Sequence, residues 1–174
     1  MMKCLIAYYS RRGNNYVSGQ VVDLAVGNTE VAAKMIQELA GGETFRIDTV
    51  KEYPSDYTRT TEVAQRELSQ GARPELSGRV EDMNVYDLII LGYPNWWGTM
   101  PMAVFTFLEA YDFSGKTILP FCTNEGSGLG HSEADIKRLC PGVKVLRGLA
   151  IRGGSVQQSG GDIAAWLKAS GILA

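Results

Sequence analysis

Two hydrophobic periods alternate along this chain, and that alternation limits the fold more than any other feature. Continuous apolar runs at Cys4–Tyr9, Leu88–Gly92, Thr117–Phe121 and Val143–Ile151 read as strands, with a weaker candidate at Thr44–Val50. Strands covered on both faces lose the polar–apolar alternation of half-exposed ones, which points to a parallel sheet. Helical spacing fills the intervals. Val31, Ala32, Met35, Ile36 and Leu39 share one face, and Gly41 is the expected stop. A more polar helix is expected over 58–70. Pro101 opens a third, ahead of Val104, Phe105 and Leu108. Ser132 is the expected cap of a fourth that Pro141 ends, and Ile163, Trp166 and Leu167 mark a fifth closed by Gly171.

Strand followed by helix, five times over, predicts an α/β fold: a doubly wound, five-stranded parallel sheet with helices on both faces. The 174 residues fit one domain spanning 1–174. A chain of this size buries about 70% of its unfolded surface without staples. Ligands of such sheets bind beyond the carboxyl ends of the strands, where the strand order reverses. Function is therefore to be sought in the loops that follow the strands.

Composition removes several function classes. With 17 Lys plus Arg against 19 Asp plus Glu, the chain has no cationic field for nucleic acid. Apolar runs such as Leu88–Leu91 fall far short of the ~20 residues a membrane span needs. Cys4, Cys122 and Cys140 form no Cys-x-x-Cys pair, so neither zinc nor a disulfide framework is indicated. Cys4 and Cys122 lie in apolar runs and are expected to be buried small hydrophobes. The opening Met1–Ile6 runs into the first strand without a small-residue cleavage site, so a cytoplasmic location is expected. Glycine is in excess: 20 residues, where an average usage of roughly 7% gives about 12.

Many of those glycines sit in three loops. After the first strand comes Ser10-Arg11-Arg12-Gly13-Asn14, and a polar stretch then leads to Gly27-Asn28-Thr29 at the start of the first helix. Hydroxyls, amides and glycine before a helix N-terminus suit an anion, because free N–H groups and the helix dipole converge there. Asn28 or Thr29 serving only as an N-cap is the plainer alternative. After the third strand comes Tyr93-Pro94-Asn95-Trp96-Trp97-Gly98. Adjacent tryptophans in a loop bounded by proline and glycine either anchor the core or offer a stacking surface to a flat ring. After the fourth strand comes Thr123-Asn124-Glu125-Gly126-Ser127-Gly128-Leu129-Gly130. This glycine-rich run departs from the dinucleotide fingerprint in both spacing and position.

Other chemistry is thin. Ser114-Gly115-Lys116-Thr117 imitates part of a P-loop, but a helical run precedes it and a strand follows, the reverse of that motif. Lys116 is expected at the solvated entry to the fourth strand. His131, the single histidine, is expected at the surface beside the glycine-rich loop. No metal-ligand cluster is visible. No acidic pair follows the first strand, which disfavours a phospho-acceptor receiver domain.

Together the three loops resemble those of the flavodoxin family, in particular flavodoxin-like proteins with a Trp-Trp second loop, and the likeness runs from Met2 to about Leu167. The resemblance implies a sheet of order 2-1-3-4-5 with FMN at its carboxyl edge. Ser10, Arg12, Gly13, Asn14, Asn28 and Thr29 would then hold the phosphate. Pro94, Asn95, Trp96, Trp97 and Gly98 would flank the isoalloxazine, and Thr123, Glu125, Gly126, Ser127 and Gly128 would form its other wall. The chain departs from the compact family loop by inserting about fourteen residues, Asn14–Gly27, between its halves. That leaves Arg11, Arg12, Asn14 and Asn15 as alternatives for the polar contact there. The insertion is expected to shield the phosphate or ribityl chain.

The resemblance implies an FMN-binding electron-transfer flavoprotein working with a redox partner protein or a small-molecule acceptor. An FMN-dependent NAD(P)H:quinone-type reductase is the alternative, distinguished by turnover of NAD(P)H without a reductase partner. A net charge of −2 lacks the strong acidic field of dedicated shuttles, whereas the absence of a second nucleotide fingerprint favours the shuttle. A domain that keeps the fold without a flavin is a third reading, set apart by colour alone.

Overall fold

The computed structural model describes residues 2–174. The chain begins with β1 (Cys4–Tyr8), then β2 (Gly13–Val17), β3 (Gln20–Leu24), α1 (Asn28–Ala40), β4 (Glu43–Arg46) and α2 (Tyr57–Gln70). It continues through β5 (Leu88–Pro94), α3 (Met102–Glu109), β6 (Thr117–Asn124), α4 (Ser132–Leu139), β7 (Lys144–Val145), β8 (Leu149–Arg152) and α5 (Gly160–Ala169). The main sheet runs β4-β1-β5-β6, and both β7 and β8 lie along the far side of β6, all parallel. This is the expected 2-1-3-4-5 order with its last strand in two pieces.

The break in that strand coincides with contacts from two helices. Between β7 and β8, the Arg147 carbonyl accepts the indole N–H of Trp166 at 3.0 Å. The Gly148 N–H donates to the Glu133 carboxylate at 2.9 Å. Side chains from α5 and α4 thus take groups that a continuous strand would give to its neighbour. The weaker run near residue 44 is shorter than expected. It pairs with β1 from Glu43 to Arg46, and Thr49 forms an isolated antiparallel bridge with Leu76.

Parity along the strands divides the core into two layers. Leu5, Ala7, Ile89 and Leu91 face Val104, Phe107 and Leu108 of α3 and Ile136 of α4. Ile6, Leu88, Ile90, Leu119 and Phe121 face Ala32 and Ile36 of α1 and Ile163 and Leu167 of α5. Burial on both faces explains why β5 and β6 read as unbroken apolar runs. No helix among the described residues is long and apolar enough to cross a membrane.

Helix ends follow local chemistry. Asp56 caps α2 by accepting from the Arg59 N–H at 2.9 Å, and Gly71 ends it at φ 61°. Pro101 stands at the residue before α3. Three expectations need correction. Ser132 is not the cap of α4 but its first residue, following His131. Its buried hydroxyl instead donates to the Leu129 carbonyl at 2.7 Å and accepts from the Tyr93 hydroxyl at 2.8 Å. Lys116 is buried rather than solvated, because its ammonium is satisfied by the Tyr86 carbonyl at 2.6 Å. Cys4 is only half-buried, since it lies near the amino edge of the sheet, while Cys122 is fully buried.

The segment between the halves of the first loop is structured. β2 and β3 form an antiparallel hairpin pairing Gly13–Val17 with Gln20–Leu24. Ser18 and Gly19 make its turn at φ 52° and 84°, the pairing of positive angles that a two-residue hairpin turn favours.

Candidate flavin cleft

A cleft of about 470 Å³ opens at the carboxyl edge of the sheet, between β1 and β6. The first turn of α1 lies at one end. Ser10 Oγ accepts from the Glu30 N–H at 3.1 Å, and the Gly27 carbonyl accepts from the Val31 N–H at 3.1 Å. The N–H groups of Asn28 and Thr29 make no hydrogen bond among the described residues. Both residues line the cleft, and Thr29 Oγ1 meets Thr123 Oγ1 at 2.8 Å. A helix start with available amides, ringed by hydroxyls, is an anion site in the making.

Gly27 lets the two halves of the first loop meet. A Cβ there would lie 2.2 Å from Ser10 Oγ and 2.5 Å from the Arg11 carbonyl oxygen. Only a residue without a side chain allows Ser10 and Arg11 to close over the helix start. Glu30, in the same turn, would repel an anion if its charge were left uncompensated. Burial pushes its carboxyl upward, but Lys34 and Arg46 outweigh that and hold it below the ordinary range. Arg46 reaches Glu30 at 2.5 Å and the Ser10 carbonyl at 2.9 Å. It thereby neutralises the carboxylate and ties it to the loop.

The other end of the cleft is aromatic. Trp96 stands edge-on to Tyr9 and Tyr53, at centroid distances of 5.3 and 5.2 Å. Tyr53 is fixed in turn by its hydroxyl, which donates to Glu67 at 2.7 Å. Trp97 is 49% exposed and sits at φ 58°, a left-handed angle that few bulky residues adopt. Its indole N–H donates to the Thr61 carbonyl of α2 at 2.9 Å. Trp96 is therefore anchored from below, whereas Trp97 is displayed. The two alternatives for the tryptophan pair are divided between its members.

Asn95 joins the second and third loops. Its N–H donates to the Thr123 carbonyl at 2.9 Å, its amide nitrogen to the Gly128 carbonyl at 2.9 Å, and its amide oxygen accepts from the Gly98 N–H at 2.9 Å. The Gly98 carbonyl accepts from the His131 N–H at 2.9 Å. A Cβ on Gly130 would fall 2.1 Å from that same oxygen. Asp135 adds a further tie, accepting from Thr99 Oγ1 at 2.5 Å and meeting His131 Nδ1 at 2.8 Å. His131 itself is exposed, as expected. The two ring-side loops thus form one braced wall.

Of the residues expected at the site, Asn28, Thr29, Pro94, Asn95, Trp96, Trp97, Gly98, Thr123, Glu125 and Ser127 line the cleft. Ser10, Gly13, Asn14, Gly126 and Gly128 are not part of that lining. Asn14 Oδ1 accepts from the Tyr57 N–H at 2.7 Å, bracing the start of α2. Arg12 points to the outer surface, beside Arg46 and Asp48, while Arg11 and Asn15 line the cleft. Tyr16, Tyr57, Asn124 and Gly153 also line it. Tyr16 comes from the hairpin and Tyr57 from α2, and their rings stack 6.1 Å apart. Tyr57 lies far in sequence from the strand-end loops, and Tyr16 falls in the Asn14–Gly27 insertion, which carries no motif.

The hairpin reaches across the cleft. The Ser18 N–H donates to the Glu125 carboxylate at 3.2 Å, joining the turn of the hairpin to the third loop. No cysteine lines the cleft. Burial pushes Cys4 and Cys140 up to about 11 and Cys122 up to about 12, so all three stay protonated at neutral pH. No cluster of metal-ligating side chains exists among the described residues.

Comparison with known proteins shows the family and the fold. Residues 3–170 match the flavodoxin family. A structure from Bacteroides eggerthii assigned as a flavoprotein is 28% identical, with 97% of this chain and 98% of that one covered and a TM-score of 0.78. A second from Bacteroides uniformis, likewise assigned, is 28% identical over 96% and 98% of the chains, with a TM-score of 0.74. A flavoprotein from Lactobacillus acidophilus in complex with FMN shares the fold at 23% identity, with coverage of 92% and 99% and a TM-score of 0.64. No curated protein matches the chain.

Proposed function

The chain belongs to the flavodoxin family, and we propose that it is an FMN-binding electron-transfer flavoprotein whose flavin occupies the cleft at the carboxyl edge of the sheet. One observation carries this reading. A single cleft joins a helix start with available amides to an exposed tryptophan, the two ends that a phosphorylated flat ring requires. The cofactor fits the donors present. A phosphate matches the amides of Asn28 and Thr29 with the hydroxyls of Thr29 and Thr123, and an apolar ring matches Trp97, Trp96 and Tyr57. FMN is also the ligand held by the Lactobacillus acidophilus relative.

When bound, FMN supplies the redox chemistry, and the protein sets its position and electronics. Asn28 and Thr29 hold the anionic end, while the Arg46 and Lys34 ion pairs keep Glu30 from opposing it. Pro94–Gly98 present backbone groups and an indole to the ring, and the Asn95 hydrogen bonds keep that loop from yielding. The hairpin carries Asn15 and Tyr16 over the cleft and excludes water from the phosphate side. Aromatic stacking and a wall of low polarity disfavour added negative charge on the ring, which lowers the reduction potential.

Colour is the first test. The purified protein is expected to be yellow and to release FMN on denaturation; a colourless protein that ignores added FMN overturns the reading. Electrode titration then separates the tryptophans. Trp97→Ala is expected to raise the midpoint potential more than Trp96→Ala, because Trp97 is displayed and Trp96 is packed. Unchanged midpoints in both would remove the stacking role.

The same cleft would also serve an FMN-dependent NAD(P)H:quinone-type reductase. A smaller cavity beside Trp97 favours keeping this second reading. Steady-state NAD(P)H turnover without a partner protein supports it; its absence leaves electron transfer.

A further inference from the structure

A second cavity of about 300 Å³ adjoins the flavin cleft on the α2 side, behind the Trp96–Trp97 wall. Thr60, Thr61 and Ala64 of α2 belong to its lining and not to that of the larger cleft. Arg11, Tyr57, Asn95, Trp96 and Trp97 border both spaces. The wall is held in place by the Trp97 indole bond to the Thr61 carbonyl at 2.9 Å, with the Trp97 backbone in a left-handed conformation. Strained backbone retained by such fixings is a mark of binding sites.

Arg11 gives the cavity its charge. It is half-buried, makes no ion pair among the described residues, and is the sole formally charged side chain of the lining. Its Nε and Nη2 are held by the carbonyls of Asn14, Pro54 and Ser55 at 3.0, 3.1 and 3.1 Å. Three neutral carbonyls orient the guanidinium without cancelling its charge, and Nη1 donates to no group among the described residues. A half-buried cation so fixed is prepared for an anion that arrives from outside. Aromatic walls and threonine side chains specify the remainder of that anion as flat and largely apolar.

We infer that this cavity is a binding site for a flat aromatic anion, such as an aromatic carboxylate or sulfonate, seated between α2 and Trp97 with its charged group on Arg11. The inference rests on the preceding reading in one respect: the flavin takes the larger cleft and leaves the smaller one. The site would bring a small aromatic molecule beside the flavin, where a shuttle serving only protein partners needs no such space.

The test uses flavin-loaded protein and naphthoate, followed by isothermal titration calorimetry, with naphthalenemethanol as the uncharged control. Naphthoate is expected to bind at one site, about tenfold or more tighter than the alcohol, as one charge-assisted hydrogen bond provides. Ala64→Leu extends a side chain into the cavity and is expected to abolish naphthoate binding with FMN affinity unchanged. Arg11→Met is expected to remove the preference for naphthoate over the alcohol, and Arg11→Lys to restore part of it. Equal affinity for the two probes, or naphthoate binding that survives Ala64→Leu, overturns the inference. Displacement of FMN by naphthoate, or FMN affinity that falls with Ala64→Leu, also overturns it and assigns the cavity to the flavin. A protein that takes no FMN fails the preceding reading instead, and its naphthoate titration then reports on the cavity alone.

Discussion

The sheet edge and the β2–β3 hairpin serve the same cleft by different physics. The sheet-edge loops continue fully buried strands and are cross-braced by Asn95, Asp135 and the Gly98–His131 bond. The hairpin is a two-stranded unit with Tyr16 and Val21 exposed, and it meets the far side of the cleft through the Ser18–Glu125 bond and the tip beside Gly154. A lone two-stranded hairpin is marginal in water and depends on what it rests against. The sheet edge thus rests on the core, whereas the hairpin rests on Glu125 of the third loop and on Tyr57 of α2. Affinity should come chiefly from the first and retention of the ligand chiefly from the second.

The largest effect should come from disturbing the sheet. A Cβ on Gly92 would lie 2.0 Å from the Phe121 ring, between β5 and β6. Gly92→Ala is expected to cost about 3 kcal/mol of stability by overpacking, read from urea denaturation; a cost near zero would mean that the sheet yields as easily as the hairpin. Next is the junction of the two regions. Gly27→Ala pushes Ser10 and Arg11 off the α1 start and is expected to weaken FMN about a hundredfold, or about 2.7 kcal/mol, in a fluorescence titration, with the fold retained.

Replacing the hairpin with a short linker should leave the denaturation midpoint nearly unchanged. FMN release should accelerate about tenfold in stopped-flow, equivalent to about 1.4 kcal/mol. Collapse of stability on this deletion would make the hairpin part of the core and dissolve the distinction.

The smallest effect tests the bracing itself. Burial pushes the Asp135 carboxyl up, but hydrogen bonds from Thr99, Arg138 and His131 outweigh that and hold it below the ordinary aspartate range. A carboxylate lowered on folding stabilises the fold above its unfolded pKa and loses that contribution as pH falls through the lowered value. Asp135→Asn is therefore expected to cost under about 1 kcal/mol at neutral pH, with the difference from wild type vanishing in acid. A difference that persists in acid would mean that shape, rather than charge, braces the loops.

The same contrast governs what could be read from the chain. The runs Leu88–Gly92 and Thr117–Phe121 were legible as strands because burial on both faces leaves no polar position. Gly41 ended the first helix where the pattern stopped, in keeping with its positive φ of 72°. The hairpin escaped because its residues are mostly polar and half-exposed, and no apolar face declares a two-stranded ribbon. The break at Arg147–Gly148 coincides with contacts from Glu133 and Trp166, distant partners invisible to local periodicity. At the site, the three loops were legible as glycine, hydroxyl and tryptophan clusters. The choice of Arg11 over Arg12 for the cleft was not, because adjacent residues differ only in the side of the chain they leave. Tyr57 reaches the cleft from a helix that carries no motif.

The central claim is that one end of the cleft reads a phosphate and the other a flat ring. Titrating the flavin-free protein with FMN and with riboflavin, monitored by tryptophan fluorescence, tests it most directly. The account predicts that both quench Trp96 and Trp97 emission, with riboflavin about a hundredfold weaker for lack of the phosphate held at the α1 start. Equal affinity for the two, or no quenching by FMN, would contradict it.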